Sequence, residues 1–253
     1  MQPLPNIRRA FLPDPKHILF DVDLSGADAQ VVAWEANEPA LKRAFLEGVD
    51  IHNFNGKRIW GDAYDPKKIR RKLTWRDECK RGVHGTNYAG GVRALQSALG
   101  WRVAEVDQFR STWFRLNPGI LDWHRRVEHL LRTTKTITNA FGYRIIYFDR
   151  PDVLLPEALA WIPQSTIAAV TARAADRMSR RCPWAPLLLQ VHDSLVFQLP
   201  ISMDQPASYK AIRAALEVPI PFPGDPRTIP WGIKRSLRSW GDLEATTWRD
   251  LGA

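Results

Sequence analysis

Cysteine is scarce: the chain has two in 253 residues, Cys79 and Cys182. Neither has the spacing of a metal site, and two thiols imply no disulfide framework. No apolar stretch reads as long enough to span a bilayer. The N-terminal MQPLPNIRRAFLPDPK lacks the apolar core of a signal peptide. No internal repeat and no low-complexity segment is visible. Together these absences set the expectation of a soluble, intracellular protein. Acidic residues are also short, 27 against 36 lysines and arginines, which leaves a formal charge of +9. A surplus of that size points to a polyanionic partner, most often nucleic acid and otherwise an anionic membrane surface.

What is present is ordinary globular material, 45% hydrophobic and 25% charged, long enough for one large domain or two modest ones. HILFDVDLS (17–25) reads as a strand entering a polar turn. From ADAQVVAWEA to about residue 134, apolar residues recur at three- and four-residue spacing, as in helices. Pro39, Pro66 and Pro118 fall where helices start or stop. TKTITNAFGYRIIYFD alternates like two strands joined at Phe141-Gly142. Residues 157–181 form a long helical pattern that Pro163 is expected to interrupt. A hairpin at 187–199, a Pro-rich stretch around a short helix, and the strand-like TIPWGIKRSL complete the chain. Strands at both ends of a helical block predict an α+β fold with a helical insertion.

Three segments carry candidate chemistry. In LLLQVHDSLVFQLP (187–200) a polar break, His192-Asp193-Ser194, divides two apolar runs. Taken alone this is a turn, since Asp and Ser favour turns through local side-chain hydrogen bonds. LFDVDLSGAD gathers Asp21, Asp23 and Asp28 around the end of an apolar strand, where a turn and a helix start would also account for them. The other reading is a metal site, in which Asp193 joins the early carboxylates. Cations that handle phosphates prefer oxygen ligands, and strand-end aspartates brought together repel unless a cation lies between them. The third segment, RDECKRGVHGTNYAGG, sets Arg76, Lys80, His84 and Tyr88 four residues apart. On a helix that is one slowly drifting stripe rising about 18 Å, cationic at one end for phosphates and flat-ringed at the other for a sugar and base. A solvated basic helix is the plain alternative. Gly82, Gly85, Gly90 and Gly91 weigh against a stable helix, at about 1 kcal/mol for each interior glycine. They suggest a mobile one that lets something approach its backbone.

Together these segments resemble the polymerase motifs of family A DNA polymerases, the family of bacterial DNA polymerase I and many phage replicases. DVDLSGADAQVVAWEANEPALKRAFLEGVDIH resembles the first motif and its downstream DIH signature. RDECKRGVHGTNYAGG resembles the nucleotide-binding fingers helix, and LLLQVHDSLVFQLP the third motif. WIPQSTIAAVTARA is similar to the segment between them. Order and spacing agree over roughly residues 17–235.

The resemblance implies a polymerase palm with an antiparallel sheet and an inserted helical fingers subdomain: palm 1–28, fingers 29–145, palm again 146–253. It implies nucleotidyl transfer from a deoxynucleoside triphosphate to a primer 3′ end on primer-template DNA. Two Mg²⁺ ions, with Mn²⁺ as a substitute, would sit on Asp23, Asp193 and the Leu24 carbonyl. Arg76 and Lys80 would grip the triphosphate, with Lys80 also serving catalysis. His84 and Tyr88 would flank sugar and base, Asp28 would act as sugar gate, and His52 would be a weaker nucleotide contact. His192 would touch the primer end and Gln164 the minor groove.

The departures are specific. Ser194 stands where the family has Glu after the third-motif Asp. Asp28 replaces the gate Glu with one methylene less, which implies looser exclusion of ribonucleotides. His84 replaces Phe or Tyr, which leaves stacking and dideoxynucleotide discrimination open. Only 22 residues precede Asp23, where the family has a thumb and more palm. The opening MQPLPNIRRAFLPDP reads as a native start, so a partner chain or self-association supplying those parts is expected. No exonuclease motif is visible. The eleven Trp residues read mainly as core and subunit contacts rather than base stackers. The expected location is bacterial or phage-infected host cytoplasm, and the alternative function is a non-catalytic DNA-binding or assembly subunit.

Overall fold

The computed structural model describes residues 6–253, apart from the side chain at position 152; residues 1–5 of the expected first palm segment lie outside the described residues. Strand β1 (His17–Leu24) leads into helices α1 (Ala27–Glu35), α2 (Pro39–Leu46) and α3 (Ile51–Trp60). A small hairpin, β2 (Ile69–Arg70) with β3 (Leu73–Thr74), precedes α4 (Trp75–Asn87), α5 (Val92–Leu99), α6 (Val103–Leu116) and α7 (Pro118–Thr133). A second hairpin, β4 (Thr136–Thr138) with β5 (Arg144–Ile146), leads to the long α8 (Pro151–Arg181). Then come β6 (Leu187–Val191), β7 (Ser194–Pro200), α9 (Pro206–Leu216), β8 (Pro219–Ile220), β9 (Arg227–Thr228), β10 (Trp231–Ser236) and β11 (Glu244–Thr246). This is the mixed helical and antiparallel-sheet fold that the sequence predicts.

The chain divides into two compact units, one of residues 1–27 with 166–253 and the other of residues 28–165. The first is built on an antiparallel sheet in the order β11-β10-β1-β7-β6. Alternation along β1 gives the sheet two different faces. On one, Phe20 stacks on Phe197 at 5.2 Å and meets Tyr209 of α9 edge-on at 5.8 Å, inside a core with Ile18, Leu195, Leu199 and Ile212. On the other, Leu19, Val196 and Trp240 form an apolar cluster at one end, while Asp21 and Asp23 continue the same side of β1 toward the other.

The second unit is helical. Pro39 and Pro118 stand at the first turns of α2 and α7, where a missing N–H costs nothing. Its interior is aromatic, with Trp113 and Trp123 fully buried, and Trp113 Nε1 donates to Asn87 Oδ1 at 2.8 Å.

Two expectations need correction. Pro163 does not interrupt the helix: α8 runs through both Pro156 and Pro163. Proline removes one N–H donor and crowds the preceding turn, and here the apolar residues Leu154, Ala158, Leu159, Ile162, Val170 and Met178 are buried all along the helix. The same helix corrects the reading of membrane-spanning length, because 153–181 is long and apolar enough by length and composition. Its apolar side chains serve the core, and its last turns carry Arg173, Arg177, Arg180 and Arg181. Two glycines lie within α4, and both have close side-chain neighbours. A Cβ on Gly82 would come within 2.8 Å of Phe109, and one on Gly85 within 2.6 Å of Leu95. What approaches the α4 backbone is the side chains of α5 and α6.

Candidate active site

In the sheet unit, β1 is central and its C-terminal end carries the candidate carboxylates. Asp23 pairs with Ser194 of β7 on one side and with Gly232 of β10 on the other. Asp193 follows directly: the Leu24 N–H donates to the Asp193 carbonyl at 3.3 Å, so the end of β1 and the β6–β7 turn are joined by backbone. That turn is two residues long, and His192 adopts the left-handed φ of 53°. His, like Asn and Asp, is enriched in that conformation. The Ser194 hydroxyl donates to the Val191 carbonyl at 3.0 Å, closing the turn.

Around Asp23 the chain keeps space and positive charge. A Cβ on Gly232 would lie 3.3 Å from Asp23 Oδ1, so glycine leaves the carboxylate room. Lys234 Nζ lies 3.5 Å from the same oxygen. Asp21, two residues earlier on the same face, is buried and differently occupied. Its Oδ2 accepts from Trp240 Nε1 at 2.8 Å, while its Oδ1 has no partner among the described residues. Asp21 is therefore a structural carboxylate, and Asp23 is the half-exposed one.

In the helical unit, α4 carries Arg76, Lys80 and His84, and Tyr88 is its C-cap. At the C-terminal end, the Tyr88 hydroxyl donates to Asp28 Oδ1, and His84 Nδ1 lies 3.2 Å from Asp28 Oδ2. The two rings meet edge-on at 4.8 Å. Both oxygens of Asp28 are thus engaged. Burial, and then the charge and hydrogen bond of Asp28, push the Tyr88 phenol far above its ordinary range.

At the N-terminal end, Arg76 donates through Nη2 and Nε to Asp50 Oδ2 at 2.7 and 3.2 Å. Asp50 also caps α3, its Oδ1 accepting from the His52 and Asn53 N–H groups at 3.0 and 2.9 Å. Burial alone would raise the Asp50 carboxyl, but the Arg76 hydrogen bond, the Asn53 N–H and the guanidinium charge hold it below its ordinary value. His52 is pushed down to about 4, chiefly by burial and then by the Arg76 charge, so it is neutral at pH 7. Lys80 and Gln164 are exposed.

The structure thus groups the candidate residues into three sets: Asp23, Leu24, His192 and Asp193; Asp28, His84 and Tyr88; Arg76 and His52 around Asp50. Three partners were missed by sequence reasoning. Asp50 was legible as a helix start, an Asp directly before Ile51. Gly232 and Lys234 alternate onto one face of TIPWGIKRSL, but nothing local says that β10 pairs with β1. Among the described residues no group of three or more His, Cys, Asp or Glu side chains is placed to hold a metal ion.

A unit built on a five-stranded antiparallel sheet and a separate helical unit together define the α+β class. The DNA polymerase family A model matches residues 2–221, and the chain belongs to that family. It is 26% identical over 239 residues to the DNA polymerase of Mycobacterium phage D29, covering 94% of this chain and 37% of that protein. It is 30% identical over 203 residues to the thermostable DNA polymerase I of Thermus filiformis, covering 77% of this chain and 24% of that protein. The POL domain of Pol1 from M. smegmatis, in complex with DNA primer-template and dNTP, shares the fold with a TM-score of 0.78 at 21% identity. That match covers 94% of this chain and 42% of the other. The chain spans less than half the length of these relatives.

Proposed function

We propose that the chain is the catalytic core of a template-directed DNA polymerase, adding deoxynucleotides to a primer 3′ end. The observation that carries this is the joining of Asp23 and Asp193 at one sheet end, through the Asp23–Ser194 pairing and the Leu24–Asp193 backbone bond. In this reading residues 1–28 and 146–253 act as palm and 29–145 as fingers.

The donor set fits Mg²⁺. This ion is usually held by one or two carboxylates and completes its shell with substrate phosphates and water. Two carboxylates with the Leu24 carbonyl match that habit. When bound, a pair of such ions would activate the primer 3′-hydroxyl and offset charge on the departing pyrophosphate. The chain's own side chains supply the rest. Arg76, held in one orientation by Asp50, grips the triphosphate together with Lys80. His84 and Tyr88 flank the sugar and base, and His52, neutral at pH 7, offers hydrogen bonds rather than charge. His192 contacts the primer end and Gln164 the minor groove. Positioning and charge neutralisation account for most of the rate enhancement in such a reaction. Asp28 gates the sugar from a shorter side chain, so Asp28→Glu is expected to lower ribonucleotide misincorporation.

Primer-template DNA and deoxynucleoside triphosphates are the proposed partners, in bacterial or phage-infected host cytoplasm. A protein partner or self-association is proposed along the edge strand β6. There Phe11, Leu12, Leu188 and Leu189 border an apolar cavity of about 340 Å³, and unpaired edges invite pairing.

Primer extension with Mg²⁺ and four deoxynucleotides, comparing native protein with Asp193→Asn, tests the proposal. Extension by native protein alone supports it, and equal extension by both refutes the site. No extension with DNA binding intact would favour the non-catalytic DNA-binding or assembly subunit.

A further inference from the structure

The helical unit has a second constellation that the nucleotide site does not use. KKIRRK (67–72) puts five cations in six residues, on and around the β2–β3 hairpin, whose turn residue Arg71 has φ 57°. Two of the five are committed. Arg70 reaches Glu78 at 3.5 Å and Glu105 at 3.6 Å, and Arg71 reaches Glu105 at 2.8 Å. Lys67, Lys68 and Lys72 are exposed and make no ion pair among the described residues.

Beside this hairpin is a cavity of about 330 Å³ walled by Trp60, Trp75, Trp101 and Phe109, with Arg70 and Glu105 also lining it. The rings touch in a chain, Trp60 to Trp75 at 5.4 Å, Trp60 to Phe109 at 5.7 Å and Trp101 to Phe109 at 4.9 Å. Arg70 lies 4.9 Å over Trp75 and so ties the cationic hairpin to the aromatic wall. Trp101 and Phe109 are buried, whereas Trp60 and Trp75 are only half-buried.

We infer that this hairpin and cleft form a binding site for single-stranded DNA, with phosphates on Lys67, Lys68 and Lys72 and an unpaired base against Trp60 and Trp75. A cleft with four aromatic walls presents ring surface to a flat, apolar-faced ligand. Cations beside it select one that carries phosphates. Aromatic platforms in a positively charged groove are how proteins hold single strands, because only unstacked bases expose their faces. Gln108, also on the lining, offers an acceptor to exocyclic amino groups. At least two of the eleven tryptophans would then be base stackers after all. Strand binding at this cleft is separate from nucleotidyl transfer and does not require it.

The test is fluorescence anisotropy of the full chain with 5′-labelled dT16 and with an abasic 16-mer that has the same phosphates and no bases. It is repeated across a salt series with the surface variant Lys67→Ala/Lys68→Ala/Lys72→Ala. Native protein is expected to bind dT16 at least tenfold more tightly than the abasic strand. The triple variant is expected to lose about tenfold in affinity. Three phosphate contacts on a single strand predict that its log K against log salt slope becomes shallower by about 2. Equal binding of both probes would overturn base insertion, and an unchanged slope would overturn the hairpin's part. Neither readout depends on extension, so a failure of the polymerase reading leaves this test standing.

Discussion

Asp50 does two separable jobs, and two substitutions at that position should divide them. Its Oδ1 caps α3 and its Oδ2 binds Arg76. Asn is as good an N-cap as Asp, whereas Ala loses the cap at about 1 kcal/mol. The ion pair is 36% exposed on the arginine and 40% on the aspartate, so solvent screening limits it to about 0.5 kcal/mol. Asp50→Asn should therefore cost about 0.5 kcal/mol and Asp50→Ala about 1.5 kcal/mol, by the sum of these two contributions. Urea denaturation, followed by circular dichroism, measures both against native protein. Combining Asp50→Asn with Arg76→Ala should give a coupling energy near the same 0.5 kcal/mol. Equal losses for Asn and Ala would refute the cap. A coupling of zero would refute the claim that Asp50 orients Arg76.

Other consequences can be checked in the same assay. A Cβ on Gly90 would lie 2.7 Å from the Gly85 carbonyl oxygen, a backbone atom unable to give way, whereas one on Gly91 meets nothing within 4 Å. Gly90→Ala should therefore cost at least about 2 kcal/mol as overpacking, and Gly91→Ala less than about 0.5 kcal/mol. Trp240→Phe removes the donor to a buried carboxylate that already has one unpartnered oxygen; a loss of about 2 kcal/mol is expected. Two groups act oppositely in acid. Burial lowers His52 to about 4, so its contribution is lost as pH falls from about 6.5, its unfolded value, toward 4. Burial, partly offset by the Arg126 charge, raises Glu35 from 4.5 to about 7, so stability is gained as pH falls through that window. Stability-versus-pH curves should show a steeper acid loss for Glu35→Gln and a shallower one for His52→Gln. Parallel curves for the two variants would contradict both assignments.

Much of this was legible in the sequence. β1, the β4–β5 pair and the β6–β7 hairpin follow from apolar alternation and a polar break, which are local properties. So are the proline starts of α2 and α7. What was not legible depends on tertiary neighbours. Gly82 and Gly85 look alike as helix weaknesses, and only the arrival of Phe109, Trp101 and Leu95 makes them contacts. Pro163 carries a local penalty that burial along α8 overrides. Asp21 and Asp23 are equivalent in the sequence, and Trp240, more than two hundred residues away, separates the buried carboxylate from the available one. Lys234 reaches Asp23 only through the β1–β10 pairing.

The proposed role of Asp23 and Asp193 is to hold the ions at which a primer is extended. Mn²⁺ binding, followed by electron paramagnetic resonance with a non-hydrolysable deoxynucleoside triphosphate present, tests it without requiring turnover. Paired Mn²⁺ ions are expected on the native chain, with loss of at least one in both Asp23→Asn and Asp193→Asn. Binding that is unchanged in both variants would contradict it.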